Sequence, residues 1–229
     1  SLGGSAGAIE PPSRDAKRGH GALNAKGTVY LVGGGPGDPS LITLRGRRLL
    51  QHADAVIYDR LAPQALLSIC RDGALKIDAG KTSTTGGKGQ SAINAMFVEH
   101  AQRGRCVVRL KGGDPGVFGR AAEERAVCLQ HGIRCVIVPG VSSCLAAPAS
   151  VGMTVTHRGT ARAFTVVTAR DRDGADSLDY ETLARVDTLV ILMGRKELAR
   201  LCRGLIEAGR DPGQPVVCVE RATTHRQRE

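Results

Sequence analysis

From Gly27 onward, short apolar runs alternate with amphipathic stretches. Apolar runs of strand length fall at 28–32, 55–58, 75–77, 105–110 and 134–138, and again at 164–168, 187–193 and 216–219. Between them, helical periodicity fits 43–51, 63–70, 90–102, 118–131, 140–149, 181–184 and 196–208. The pattern is clearest over 90–102, where Ile93, Met96, Phe97 and Ala101 fall on one face. Thr43 is the expected N-cap of the first helix, and Gly132 is the expected stop of the helix before it. Strands alternating with helices predict an α/β fold with helix-covered sheets. In such sheets ligands bind beyond the carboxyl ends of the strands. Three polar or glycine-rich loops fall at such ends, at 33–39, 59–60 and 112–115, and the site is expected there. Residues 1–26 carry Gly, Ala, Ser, Pro and charge without an apolar period and are expected to be a disordered tail or linker.

Composition narrows the possible partners. A chain of 229 residues with 41% hydrophobic content can bury a proper core, in one large or two small α/β domains. Aromatic residues make up 3% and Trp is absent, which weighs against stacking on single-stranded nucleic acid. The formal net charge of +10 suits nucleic acid, an anionic membrane or an anionic small molecule, or simply a soluble arginine-rich surface. The seven cysteines have no C-x-x-C spacing, as expected of free buried thiols in a reducing cytosol. No run approaches the roughly 20 apolar residues of a membrane helix. There is no signal-peptide core and no initiator Met, so a processed or truncated chain is expected.

Two familiar motifs fail on spacing. A G-x-G-x-x-G reading from Gly33 puts Asp38 where the third glycine belongs, and Pro36 and Pro39 lack the amides of a phosphate cradle. Gly80-Lys81-Thr82 resembles the end of a P-loop, but Leu75 occupies the position of its first glycine.

The ordered set of Val29–Pro39, Tyr58-Asp59-Arg60-Leu61, Val108–Pro115, Phe118-Gly119-Arg120, Thr156-His157-Arg158-Gly159, Leu192-Met193-Gly194 and Thr223–Gln227 is far more specific. Together these segments resemble the tetrapyrrole methylase family, from about residue 27 to the end. The Tyr58–Leu61 segment is similar to the branch that methylates uroporphyrinogen III. The resemblance implies two αβα domains, 27–140 and 141–229, with the active site in the trough between them. It implies a cytoplasmic homodimer that uses S-adenosylmethionine and no metal, and that binds neither nucleic acid nor membrane. Uroporphyrinogen III would be methylated at C-2 and then C-7 to precorrin-2, for sirohaem and cobalamin biosynthesis.

Family roles carry over by position. Pro36, Gly112, Gly113, Asp114, Val117, Ser142, Ser143, Met193 and Ala222 fall at cofactor contacts. Asp59 matches a proton acceptor and Lys81 a proton donor. Arg120, Glu123 and Arg158 fall at substrate-binding positions, and Arg120 also at a catalytic one.

The residues themselves leave alternatives open. Asp59 is either an anion for a developing cation or a strand-end cap. Asp114 either receives cofactor hydroxyls or closes a Gly-Asp-Pro turn. Arg120 and Arg158 offer bidentate geometry to carboxylates, or Arg120 pairs with Glu123 or Glu124 one turn away. Lys81 is a proton donor or a solvated loop lysine. His157 is a base or, by preference, a structural hydrogen-bonder.

Three departures from the family pattern stand out. Ala121-Ala122 replaces Gly-Gly, either crowding the helix start or favouring the helix. The 80–90 loop lacks a histidine before Gln90. The chain stops at Glu229, where a further helix and strand would complete the second sheet. The rival readings are another methyltransferase of this fold, acting on later precorrins or ribosomal RNA, and a non-catalytic basic module that binds RNA.

Overall fold

The computed structural model describes residues 26–82, 89–169 and 177–229. The tail expected at 1–26 lies outside them except for Lys26, whose Nζ donates to the His131 carbonyl at 2.8 Å.

A five-stranded parallel sheet forms the first half. Its strands are β1 (Thr28–Gly33), β2 (Ala55–Tyr58), β3 (Leu75–Asp78), β4 (Cys106–Lys111) and β5 (Arg134–Val138), in the order β3-β2-β4-β1-β5. The central strands β1, β2 and β4 are covered on both faces and nearly all buried, whereas the edge strands β3 and β5 are partly exposed. The period of two sorts them. Tyr30, Val32, Val56, Val108 and Leu110 pack with Leu49 and Leu50 of α1 (Leu44–His52) on one face. Val29, Leu31, Ile57 and Val107 pack with Phe97 and Ala101 of α3 (Gln90–Gln102) and Cys128 of α4 (Ala121–Gln130) on the other. A short α2 (Ala79–Thr82) follows β3. Thr43 caps α1 as expected, its Oγ1 accepting from the Gly46 amide at 3.1 Å.

The second half is smaller. After α5 (Ser143–Ser150) come β6 (Phe164–Thr168), α6 (Tyr180–Ala184), β7 (Thr188–Leu192) and α7 (Leu198–Glu207). β6 and β7 pair in parallel as a two-stranded sheet.

Three expectations need correction. The apolar run at 216–219 is no strand: among the described residues it joins neither sheet, and Val216 stays 68% exposed. The segment instead enters an isolated antiparallel bridge between Glu220 and Arg228. The helix predicted from residue 118 begins at Ala121, since Phe118 and Arg120 take φ values of 52° and 58°, outside the right-handed helical region. The helix predicted at 63–70 is a 3₁₀ segment, Gln64–Ile69, entered through Pro63. Ala121 is buried and Ala122 exposed in the first turn of α4. All seven cysteines are free. Among the described residues no helix is long and apolar enough to cross a membrane.

Candidate active site

β1, β4 and β5 leave the sheet side by side, and their loops are stitched together by backbone. The Gly34 amide donates to Lys111 O at 2.8 Å, Gly113 N to Gly35 O at 2.7 Å, and Gly35 N to Gly113 O at 3.3 Å. Gly113 holds φ +65°, a conformation that side chains disfavour. A Cβ on Gly140 would sit 2.4 Å from Gly113 O and 2.7 Å from the Gly33 Cα. Three loops thus meet with no room for a methyl.

Asp114 locks the junction. Its Oδ1 accepts from Gly116 N at 2.7 Å and its Oδ2 from Gly140 N at 2.9 Å. The Gly-Asp-Pro segment is therefore a turn that also ties the β4 loop to the β5 loop. Ser142 follows as N-cap of α5, half a turn beyond Gly140. A cavity of about 840 Å³ opens beside these groups, with Asp114, Val117, Gly140, Ser142, Cys144 and Phe164 in its wall. Phe164 and Val166 come from β6, so the cavity lies where the two sheets face each other. Its apolar wall with a few convergent polar groups, and its volume, suit a nucleoside-sized ligand. A neighbouring groove of about 620 Å³ carries Phe118, Arg120, Arg125 and Leu129.

Asp59 stands at the end of β2. Its Oδ1 accepts from Leu61 N at 3.0 Å and Ala62 N at 3.1 Å, and its Oδ2 from Arg109 Nη2 at 2.9 Å. It is both the strand-end cap and a fixed anion, with 28% of its side chain exposed. Behind it lies a buried ion network. Arg109 reaches Glu124 Oε1 at 3.3 Å through Nε, Lys111 reaches Glu124 Oε2 at 2.9 Å, and Gln90 Nε2 donates to Glu124 Oε1 at 3.0 Å. Burial, and then Arg109 beside it, push the Lys111 ammonium below its ordinary range; Glu124 opposes both.

The remaining expected residues divide. Asp114, Val117 and Ser142 line the large cavity. Gly113 and Ser143 lie close together beside it, the Ser143 amide 3.8 Å from where a Gly113 Cβ would lie, but neither lines it. Gly112 does not line it either: a Cβ there would sit 2.5 Å from the Leu61 carbonyl oxygen. Ala222 is buried, and its carbonyl is 2.8 Å from where a Cβ on Gly37 would lie, in the loop that carries Pro36. Met193 follows β7 at φ 59° and is exposed; α5 packs on that strand. Arg120 and Glu123 form a two-pronged exposed pair at 3.0 and 2.5 Å, so Glu123 is the residue that takes up Arg120. Arg158 sits on an exposed turn closed by His157 and Ala161 and lines neither cavity. His157 hydrogen-bonds the Arg158 carbonyl through Nδ1, a structural contact. Lys81 lies in α2, and its side chain is outside the described residues.

Sequence reasoning missed the groups that hold the site. Arg109 and Lys111 alternate with Val and Leu in a buried strand, and that was a readable signal: two charges on one strand face demand a buried partner. The partner is Glu124; of the two acids one turn from Arg120, it is Glu123 that forms the surface pair. Thr223 was also missed as a clamp. Its Oγ1 accepts from the Asp38 amide at 3.0 Å, and Gln227 Oε1 accepts from its own amide at 2.7 Å.

The chain matches the Tetrapyrrole (Corrin/Porphyrin) Methylases over residues 28–228. It belongs to this family. It is 47% identical over 205 residues to a uroporphyrinogen-III C-methyltransferase of Bacillus subtilis, covering 88% of this chain and 42% of that protein. It is 44% identical to an S-adenosyl-L-methionine-dependent uroporphyrinogen III methyltransferase of Methanosarcina barkeri, over 88% of this chain and 80% of that one. Among solved structures, the uroporphyrin-III C-methyl transferase of Thermus thermophilus complexed with S-adenyl homocysteine superposes with a TM-score of 0.77 at 42% identity, over 88% of this chain and 81% of that one. The fold is thus that of the tetrapyrrole methylases. The chain spans less than half the length of the Bacillus protein and of a sirohaem synthase from Chromobacterium violaceum, at 42% and 44%.

Proposed function

We propose that this chain is an S-adenosylmethionine-dependent methyltransferase that C-methylates uroporphyrinogen III at C-2 and then C-7 to give precorrin-2, for sirohaem and cobalamin biosynthesis. The observation that carries the reading is the backbone junction of Gly35, Gly113 and Gly140, locked by Asp114 and opening on a nucleoside-sized cavity between the sheets. The solved relative from Thermus, complexed with S-adenyl homocysteine, supports it.

S-adenosylmethionine supplies an electrophilic methyl group on a sulfonium. Gly112, Gly113, Asp114, Val117 and Ser142 would hold it, with Pro36, Ser143, Met193 and Ala222 completing the contacts. The protein's main task is alignment of the pyrrole carbon with that methyl. Asp59 places a fixed negative charge where the substrate ring gains positive charge, and takes up the proton the ring then loses. Lys81 is the proposed proton donor. Arg120 and Arg158 bind the carboxylate rim of the substrate, Arg120 exchanging Glu123 for a substrate carboxylate, and Glu123 stands at the remaining substrate-binding position as an acceptor for the substrate's N–H groups. The net charge of +10 steers the polyanion to the trough, so substrate capture should weaken with salt. The same reading has a cytoplasmic homodimer with domains 27–140 and 141–229.

The test is incubation with uroporphyrinogen III and labelled S-adenosylmethionine. Two labelled methyls per tetrapyrrole are expected. No transfer overturns the proposal, and so does transfer to later precorrins or ribosomal RNA alone. Retention on RNA without affinity for S-adenosylhomocysteine would replace it with the RNA-binding reading.

A further inference from the structure

Glu124 is fully buried, yet it is ionic and sits between two buried cations. Such a cluster is a poor way to gain stability. Apolar side chains of similar volume are often as good or better, because desolvation offsets the mutual attraction. Its geometry says more. Arg109 commits every nitrogen: Nε to Glu124, Nη1 to the Ile57 and Leu110 carbonyls at 3.4 and 3.1 Å, and Nη2 to Asp59. The guanidinium is planar and its donors form a rigid fork, so it cannot turn toward one partner without leaving another. It therefore carries the position of Glu124 across from β4 to the end of β2. The same carboxylate holds Lys111, whose carbonyl receives Gly34 just before the Gly112 turn, and Gln90, the first residue of α3. Its own amide donates to the Arg120 carbonyl at 3.1 Å.

We propose that Glu124 is a positioning residue for methyl transfer: acting through Arg109, it fixes the Asp59 carboxylate at the carboxyl end of β2. The proposal rests on the role given to Asp59 above. Glu124 touches neither substrate nor cofactor. It aims the anion that does the chemistry, while the hydrogen bonds to Leu61 and Ala62 hold only the other oxygen of Asp59.

Glu124→Gln keeps the shape and removes the charge. Its kcat should fall on the order of 10- to 100-fold, as for a misplaced reacting group. KM for both substrates, and affinity for S-adenosylhomocysteine by calorimetry, should change less than about 3-fold. In an Asp59→Asn background the same change should lower kcat by less than about 3-fold, because the two residues act as one unit. A folded E124Q with wild-type kcat overturns the proposal, and so do additive effects in that cycle. If E124Q does not fold, Arg109→Lys, which keeps the charge and loses the fork, is held to the same outcomes. A readout independent of turnover is the carbonyl-carbon NMR signal of the Asp59 side chain, assigned with D59N. It should move in E124Q or R109K, and an unmoved signal overturns the proposal. Wild-type protein that transfers no methyl to uroporphyrinogen III sinks the functional reading instead, and the NMR signal still decides the coupling.

Discussion

The two sheets are built to different standards. Every residue of β4 is buried, charged ones included, whereas every residue of β7 is only half-buried. Both core clusters are drawn from residues 30–138 and 29–135 of the first half. Beyond residue 150 the buried apolar residues, among those described, are Ala169, Leu183, Leu201 and Ala222, and of these only Leu201 is fully buried. The cavity lies between a wall fixed by backbone contacts and one carried by a thin core. The first sheet presets the loops that border the cavity. The second side adds Phe164 and Val166, and the tail reaches over through Thr223 to Asp38. The first wall therefore has little freedom to adapt, and adaptation belongs to the second.

The sharpest test is Gly140→Ala. If the first wall is truly backbone against backbone, one methyl there should cost upwards of about 4 kcal/mol. It should also abolish binding of S-adenosylhomocysteine, measured by urea unfolding and calorimetry. A stable, binding-competent variant would break the comparison at its centre. Next come equivalent deletions in the two cores. Leu31→Ala in β1 should cost about 4 kcal/mol and Leu201→Ala in α7 about 2–3 kcal/mol, because the thinner core can collapse around the loss. Equal costs would remove the energetic distinction. Smaller again is Asp114→Asn. An amide oxygen can still receive one of the Gly116 and Gly140 amides, and the other is left unpaired, for about 1–2 kcal/mol. Ligand affinity should fall with it.

The smallest effect is a pH dependence confined to the first half. His100 of α3 faces Arg105, whose Nη1 lies 2.7 Å from His100 Nδ1. Burial, and then Arg105, hold the imidazole below its ordinary 6.5. Just below pH 6.5 the unfolded chain therefore binds more protons than the folded one. Stability rises with pH through that window and falls as pH drops through it. Urea midpoints from pH 7.5 to 5.5 should show this fall, and His100→Gln should flatten it. A slope unchanged in H100Q would assign the effect elsewhere.

Much of the fold was legible, for local reasons. The strands at 134–138 and 164–168 and the helix at 90–102 fall where hydrophobic period and turn residues put them. The failures came where neighbours decide. The run at 216–219 has strand composition and no strand partner among the described residues. The start of α4 was shifted by positive φ at Phe118 and Arg120, set by the turn that packs Gly119 onto Pro115. At the site, the glycines and Asp114 announced a close backbone approach, but which loops approach one another was not written in any of them. Glu123 and Glu124 are adjacent and chemically alike. One is a surface partner of Arg120 and the other the buried anchor of Arg109 and Lys111, because successive helical positions lie about 100° apart.

By itself, the sequence determined the alternation of strands and helices, the strand-end position of the candidate loops and the family, since these rest on local periodicity and on an ordered set of motifs. Only the tertiary structure decided that Asp114 is a clasp between two loops, that Arg109 links Asp59 to the buried Glu124, and that the last apolar run joins no strand among the described residues. Each of these depends on which strands become neighbours, and pairing between distant segments leaves no mark on the residues until the chain is folded.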